Sequence, residues 1–523
     1  MPIQRSRFHS AIKHPPPQAI RTEIVEPVAG LNRQRPASNL RPGETPFSQN
    51  WVMGDRYIEP RSGISQWGTT SHTSIPLGFL GSQRFDKVDT AVLLSGKSIS
   101  QRSDVNNWTA VASTAPLSGT TSGYYSMVAV FDPATTAIAP HVILCNKDMP
   151  PKVLGVAGNS SLATLEGFYS IDSYARYVTA FDDRVIFFHS GTTLAQATAG
   201  VHPTRISYTG RGSLNSFAIG GFEDLNDMQG VGTGLVPERD RLILLSDKEV
   251  WAGRPRRDAY AFDFFNLDKS KGCPADYDRT PKNTEAGTIW LGEGFQFYRA
   301  IGNEVRALGD KVRDVLKDEM REWAHSWSLY NPKDHIYAFL YSDTTGEYPT
   351  KALFLRTDTV QPTGASRDDG VWFLQDFGSF QFPVGGVFKG DTVLMSSAAT
   401  PYRLLSTQTN DAGTAIDCRW RSHSLRAERD LFPYEALQEF WLEYEYDSAT
   451  TSTLNLYQST DNAATFGLIS NASLTSGTGY PFIPVTGAAA RNQAFEIRLN
   501  DGTKPRIARM QLKLRGYTGR FAG

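Results

Sequence analysis

Two adjacent acid pairs, Asp182-Asp183 and Asp368-Asp369, are the first places to look for hydrolytic chemistry. A glycosidase needs two carboxyl groups facing each other across a sugar, about 5 Å apart for retention and about 6.5–9.5 Å for inversion. Each pair here stands before an apolar run in a turn-forming context, so the residues favour turns. Gly230-Val231-Gly232-Thr233-Gly234 has the composition of a phosphate cradle, but a cradle requires a helix N-terminus directly after it. Pro237 and an apolar strand follow instead, and the cradle is rejected. Nine histidines are scattered along the chain; His9 with His14, and His325 with His335, are among the closer pairs. Neither pair has a third ligand at metal-binding spacing. Arg254-Pro255-Arg256-Arg257 is a compact basic loop whose guanidinium forks could hold phosphates, with a solvated loop as the plainer alternative. No Ser/His/Asp constellation stands out and GxSxG is absent. The residues therefore assign no catalytic group, no cofactor-binding group and no metal ligand.

One short motif has a clearer meaning. Ser459-Thr460-Asp461-Asn462-Ala463-Ala464-Thr465-Phe466 resembles the Asp-box of sialidase-type propellers, Ser-x-Asp-x-Gly-x-Thr-Trp, with Ala463 in place of Gly and Phe466 in place of Trp. That motif caps a hairpin through its Asp side chain and performs no catalysis, so a turn is expected here.

The elements that would position any site come from a pattern that occurs three times. It reads DDRVIFFHS at 182–190, ERDRLILLSDKEVWAG at 238–253 and AGTIWLGEGFQFYRAIGNEVRALGDKV at 286–312. Apolar runs meet across polar turns, Ser246-Asp247-Lys248 and Gly292-Glu293-Gly294, which is a hairpin signal. Arg184, Arg241 and Trp290 occupy comparable places, at spacings of 57 and 49 residues. A loose period near 50 is that of propeller blades, small antiparallel sheets that cannot cover both faces alone. Further hairpins are read at Thr90–Ser100, at Tyr124–Phe131 with His141–Asn146, at His335–Asp343 with Ala352–Arg356, and at Val371–Phe377 with Val384–Phe388. The count lies between five and seven blades, with about six favoured. Closed rings often borrow a strand from the N-terminal side, and Trp51–Ile58 is the candidate.

The 523 residues carry a net charge of −1, with 40% apolar and 11% aromatic residues, 45 Gly and 29 Pro. That is the profile of a turn-rich β protein with ample chain for a core. Residues 1–45 hold seven basic and three acidic residues, a net of +4 that leaves −5 for the remainder, and seven prolines. Too little apolar surface lies there to order the segment unaided. It can still be ordered by lying on something else, and is read as an extended basic arm, either a disordered tail or a partner-docking segment with Arg5, Arg7, Arg21, Ile24, Val25, Arg33 and Arg35 as its contacts. The propeller is assigned to 46–405. Within it, Val305, Leu308, Val312, Val315 and Trp323 predict one amphipathic helix over about 308–325. Period-two alternation past Leu405 predicts a C-terminal β-sandwich over 412–523, with Ser406–Gly413 as linker. Cys145, Cys273 and Cys418 are too dispersed for a disulfide framework and are read as free thiols. No apolar run reaches the length of a membrane span, and no secretory leader is read at the N-terminus, so synthesis in a cytoplasm is expected.

The runs Asp183–Phe188, His202–Thr209 with Ser216-Phe217, Asp240–Leu245, Glu249–Trp251, the turn Gly272-Cys273-Pro274, and Thr288–Gly292 with Phe297-Tyr298 resemble propeller-type virion proteins of short-tailed bacteriophages, the tail hub (nozzle) and packaged-DNA stabilisation proteins. The resemblance covers about 180–330 well and the flanks loosely. It implies a structural, non-enzymatic role in the virion tail of a protein made in the host bacterial cytoplasm. The implied partners are further copies in a homo-oligomeric ring such as a hexamer, portal and adaptor proteins, and tail fibres or tailspikes. DNA would pass through without specific binding. A near-neutral to acidic body suits such a conduit, because a basic lining would retain phosphates. The competing class is a carbohydrate-binding or glycoside-hydrolysing propeller, which would place exposed Trp and Tyr beside paired carboxylates.

Overall fold

The computed structural model describes residues 20–41, 43–68, 74–82, 90–96, 98–103, 108–111, 123–130, 141–146, 149–155, 162–164, 174–191, 202–213, 221–256, 261–361, 370–405, 407–426, 434–461, 463–485 and 487–517. The protein is mainly β, and most of it is a β-propeller. Blade one comprises Pro76–Ser82, Thr90–Ser95, Ser98–Ser103 and Thr109–Ala110. Blade two begins at Ser126–Val130, blade three at Tyr174–Phe181, blade four at Gly232–Pro237, blade five at Lys282–Thr284, blade six at Glu322–Asn331 and blade seven at Val384–Phe388. Each of these first strands packs against the first strand of the next blade, and blade seven returns to blade one. Seven four-stranded blades among the described residues lie within the five to seven read from the sequence, one above the number favoured.

The long apolar runs are the second strands of the blades. Each is buried on both faces because alternate residues belong to different neighbours. In blade one Ala91 and Leu93 pack towards blade seven, while Val92 and Leu94 pack towards blade two. In blade three Val185 and Phe187 face blade two, and Ile186 and Phe188 face blade four. The same division places Leu242 and Leu244 against blade three and Ile243 and Leu245 against blade five. A strand covered on both sides has no polar face to show, so its sequence is continuously apolar. Asp182 and Asp183, both with positive φ (51° and 56°), form the tight turn between the first two strands of blade three. The first of the two acid pairs is therefore a turn, and Asp368-Asp369 lies outside the described residues.

Closure of the ring differs from expectation. The fourth strand of blade seven is Gly63–Gln66, paired antiparallel with Pro401–Leu405. Trp51–Met53 and Ile58–Pro60 instead form a hairpin at the edge of a separate sheet, where Ile58 pairs with Ile507. The corner between the two paths is Arg61, which is fully buried. Its guanidinium donates to both oxygens of Asp411, to Asn50 Oδ1 at 3.1 Å, and to the carbonyls of Ser62 at 3.0 Å and Asp376 at 2.9 Å. Ring closure also needs close backbone approach: a Cβ on Gly81 would lie 2.1 Å from the Val387 carbonyl oxygen in the adjoining blade.

Beyond the ring, Tyr434–Tyr446 and Arg506–Tyr517 form the centre of one sheet. A second sheet contains Cys418–Arg421, Asn492–Leu499, Ser452–Ser459 and Gly467–Leu474. Phe440, Leu442 and Leu512 of the first share one apolar cluster with Leu454, Leu456 and Ile497 of the second. The second sheet is continuous with blade six, because Ser48–Gln49 bridges Val371–Asp376 and Cys418–Arg421 to make ten strands in all.

Three expected boundaries are corrected. Residues 20–45 are not a detached arm: Ile20–Val25 pairs along its whole length with Val25 opposite Met510, and Leu31 is buried against the propeller. The helix is Arg313–Glu319 only, since Glu304–Leu308 is the fourth strand of blade five and Glu322–Asn331 opens blade six. Val305 and Leu308 mimicked a helical step from within a strand, which ends where Gly309 takes φ 81°. The expected linker runs into a small hairpin, Asn410–Asp411 with Thr414–Ala415, that presents Asp411 to Arg61.

Removing one member of a buried, hydrogen-bonded ion pair leaves the other charge stranded, at about 3–5 kcal/mol. Arg61→Ala should lose stability on that scale in urea unfolding. Arg306→Ala, which breaks the exposed pair with Glu304, should cost less than about 1 kcal/mol.

Candidate functional site

All seven blades contribute to a cavity of about 200 Å³ at the propeller axis. Its chemistry sits where blade five begins. The chain leaves the turn at Pro274, passes Asp278 and Arg279, and enters the strand at Lys282, so one short segment points an acid and two bases inward. Blades two, three and six supply Tyr124, Arg176 with Tyr177, and Trp327.

Asp278 is occupied. Arg176 donates to its Oδ2, and the Tyr177 hydroxyl donates to the same oxygen at 3.0 Å. Burial opposes the Arg176 charge, but Tyr177 and Asp278 hold its pKa above the ordinary value. Tyr177 is pushed well up by burial and by the Asp278 charge, and stays a neutral donor.

Arg279 is held differently. Its guanidinium carbon lies 3.4 Å from the centre of the Tyr124 ring and 6.0 Å from that of Trp327, a cation–π arrangement. Nη2 donates to the Pro383 carbonyl at 2.6 Å, while Nη1 is buried without a hydrogen-bond partner. Burial lowers its pKa from the usual arginine range. The Tyr124 hydroxyl lies 3.0 Å from His325 Nδ1, and the His325 ring packs on Tyr348 at 4.5 Å. Burial lowers the His325 pKa, keeping the imidazole neutral near pH 7. Lys282 is half-buried, and burial followed by the Arg279 charge brings its amine down to about 8. Three cations thus face a single carboxylate that already serves one of them. Such a lining attracts anions, and it lacks the second carboxyl that a glycosidase mechanism requires.

Among the described residues the expected docking side chains Arg21, Ile24, Val25, Arg33 and Arg35 have separate surroundings. Arg5 and Arg7 lie outside the described residues. Arg21 meets Glu435 at 3.3 Å and the Arg426 carbonyl at 3.2 Å. Ile24 is 50% exposed, whereas Val25 beside it is buried in the core. Arg33 is drawn to the short helix by Asp318 at 3.1 Å and Glu319 at 3.3 Å, and Arg35 is exposed. Arg254 stacks on Phe265 and donates to Asn303 at 3.1 Å; Arg257, His9 and His14 lie outside the described residues. His335 pairs with Glu285 at 2.8 Å on the surface, and Gly232–Pro237 is a strand, as the rejection of a cradle required. The Asp461 motif caps its hairpin: Oδ1 accepts from Ser459 Oγ at 2.6 Å and Thr465 N at 2.9 Å, while Oδ2 accepts from Thr465 Oγ1 at 2.6 Å. Those bonds, from Ser459 first, hold its pKa well below the carboxylate range. All three cysteines are buried free thiols. No group of three or more metal-ligating side chains occurs among the described residues, and no described helix is long and apolar enough to cross a membrane.

No protein-family model and no curated protein matches the chain. Among solved structures it is similar to a catalytically inactive virginiamycin B lyase from Staphylococcus aureus with quinupristin, at 10% identity over 65% of this chain and 98% of that one, TM-score 0.40. It is similar to BamB from Moraxella catarrhalis, at 10% identity over 69% and 94%, TM-score 0.36. A third likeness, to an exo-β-1,3-galactanase from Phanerochaete chrysosporium, has 10% identity over 87% and 99%, TM-score 0.28. At these scores the likenesses bear on neither ligand nor activity.

The lowered Lys282 pKa has a consequence for stability. A folded-state value of about 8 lies below the ordinary lysine value of about 10.4, so between them the unfolded chain binds more protons and stability rises with pH. In chloride buffer the unfolding free energy should climb across pH 8–10.5, and Lys282→Met should flatten that climb.

Proposed function

We propose that this chain is a structural virion component, a tail hub or nozzle of a short-tailed bacteriophage that assembles as a ring beneath the portal and adaptor, retains the genome and carries fibres. The observation that carries the reading is mechanical. The propeller is latched by an N-terminal strand, and blade six runs into the neighbouring sheet without a break across ten strands. Bending the two parts against each other would require breaking ladder hydrogen bonds and the Arg61 network together. A part that bears internal pressure needs that property, and a single-chain hydrolase does not.

The axis of the propeller cannot be the conduit. It is lined by Arg176, Arg279, Tyr124 and Trp327, and the cavity there, about 200 Å³, is far too small for a duplex. Under this proposal DNA passes along the shared axis of several copies, past the outer surfaces of the propellers. Those surfaces belong to a body whose charge beyond residue 45 is −5. Few phosphates would be held there by counterion release, and the genome could slide.

Docking onto an adjacent ring falls to the first nineteen residues, which hold Arg5, Arg7 and Lys13 with no acid. Deletion of residues 1–19 should leave the melting temperature unchanged and abolish incorporation into particles. Deletion of 1–45 should instead destabilise the fold, because Val25 and Leu31 are buried and each contributes about 1.5–3 kcal/mol. Negative-stain images of the full chain should show rings of fixed copy number. A monomer at every concentration, together with particles of normal composition after the 1–19 deletion, would overturn the proposal.

A further inference from the structure

Three cations, Arg176, Arg279 and Lys282, line the axial cavity with one carboxylate, Asp278. Arg279 and Lys282 lie three positions apart on one segment and line the same cavity. Asp278, the carboxylate beside them, is taken by Arg176 and Tyr177. Arg279 Nη1 is closed off from the cavity without a hydrogen-bond partner, and among the described residues the Lys282 side chain makes no hydrogen bond. Two cations lining one partly desolvated cavity repel each other. One small anion between them would relieve that repulsion.

We infer that the axial cavity is a binding site for a small tetrahedral oxyanion, phosphate or sulfate, held between the Arg279 guanidinium and the Lys282 amine that line it. The geometry favours an oxyanion over the alternatives. Arginine presents a planar fork suited to oxygen pairs and lysine a compact point charge, the usual combination for phosphate-type anions. At about 200 Å³ the cavity falls below the 300–1,000 Å³ typical of sites for larger organic ligands, which disfavours a sugar or a nucleotide. The aromatic faces of Tyr124 and Trp327 do not compete for the ligand, since the Arg279 guanidinium already covers the Tyr124 ring. The groups facing the pair are Asp278, Arg176, Tyr177, Tyr124, His325 and Tyr348, and Asp278 is the sole carboxylate among the residues lining the cavity.

The site would act as a pin. The anion would join the start of blade five to the carbonyl-held guanidinium that reaches blades two, six and seven through Tyr124, Trp327 and Pro383. A ligand bound only by the folded state stabilises it by mass action, so the ring would be tighter in phosphate than in chloride.

The test is calorimetric titration and thermal melting of the full-length chain at constant ionic strength, with inorganic phosphate, sulfate, glycerol phosphate and chloride as probes. The expected result is saturable binding of one phosphate or sulfate per chain with a matching rise in melting temperature. Lys282→Met should weaken that binding about tenfold or more, and Lys282→Arg, which keeps the charge, should retain most of it. Circular dichroism would establish that both variants are folded. A response to phosphate no larger than that to chloride, or an equal response in Lys282→Met, would overturn the inference. Glycerol phosphate binding as tightly as free phosphate would overturn the restriction to a free ion.

Discussion

A buried arginine sets the relation between the two halves of this molecule. Taking a guanidinium out of water is expensive, and the cost is recovered only where a counter-charge and hydrogen-bond acceptors meet it in good geometry. Arg61 obtains its carboxylate from the hairpin at Asp411, its carbonyl from the end of blade six at Asp376, and its amide oxygen from Asn50. Asn50 is itself over-determined: its Oδ1 also accepts from Asp376 N at 2.7 Å and its Nδ2 donates to the Asp417 carbonyl at 2.8 Å. Phe377 closes the remaining side, 4.7 Å from the guanidinium carbon. Displacing any one of these segments would strand a charge or a polar group in the interior. The network therefore permits a single placement of the N-terminal chain, blade six and the 410–415 hairpin relative to one another.

The consequence for the propeller is a ring whose ends are both tied. Blades bury one another's faces, so the stability of each depends on having two neighbours, and an open ring would expose one face of blade one and one of blade seven. Gly63–Gln66 completes blade seven from the far end of the sequence, which turns the last interface into a long-range contact. The same N-terminal chain has already contributed Ile20–Val25, Ser48–Gln49 and Trp51–Pro60 to the sheets beyond the ring. One polypeptide segment, Ile20 to Gln66, is thus stitched through every major part of the fold, and Arg61 lies at the point where it passes from one to the other.

How much of this was legible follows from where each signal resides. Second strands such as Leu242–Ser246 are buried on both faces, so they write an unmistakable apolar run. Short outer strands such as Thr109–Ala110 and Phe222–Asp224, with exposed or half-buried residues, write almost nothing. The hairpin His335–Asp343 with Ala352–Arg356 was read correctly, but its blade also takes in Glu322–Asn331, whose exposed first half gave the helical step its last point at Trp323. The segment from residue 20 to 45 is more firmly built in than its composition suggests, because composition reports what a segment can bury alone, and Val25 and Leu31 are buried by partners hundreds of residues away. The closing strand fell outside the candidate Trp51–Ile58 for a related reason: nothing in Gly63-Ile64-Ser65-Gln66 reveals that Pro401–Leu405 lacks an edge partner. The axial cluster was invisible. Tyr124, Arg176, Arg279, Lys282 and Trp327 come from four blades, and no spacing in the sequence records that the first strands converge.

Arg61 and Arg279 are the same side chain solved in two ways, and the difference separates scaffold from site. Arg61 reaches a carboxylate with both ends of its fork and spends its remaining donors on fixed carbonyl and amide oxygens. Arg279 is just as firmly placed, by Tyr124 on one side and the Pro383 carbonyl on the other, yet no anion has been built for it. A ring face offers a few kcal/mol at most, less than a carboxylate in the same surroundings, and it leaves Nη1 unused. The fold could have repeated the Arg61 solution with a second acid on any of the first strands that line the axis. Instead it gave Asp278 to Arg176 and set Lys282 beside the unsatisfied guanidinium. The axis gathers three cations around one carboxylate, whereas the junction at Arg61 gives one cation a carboxylate of its own.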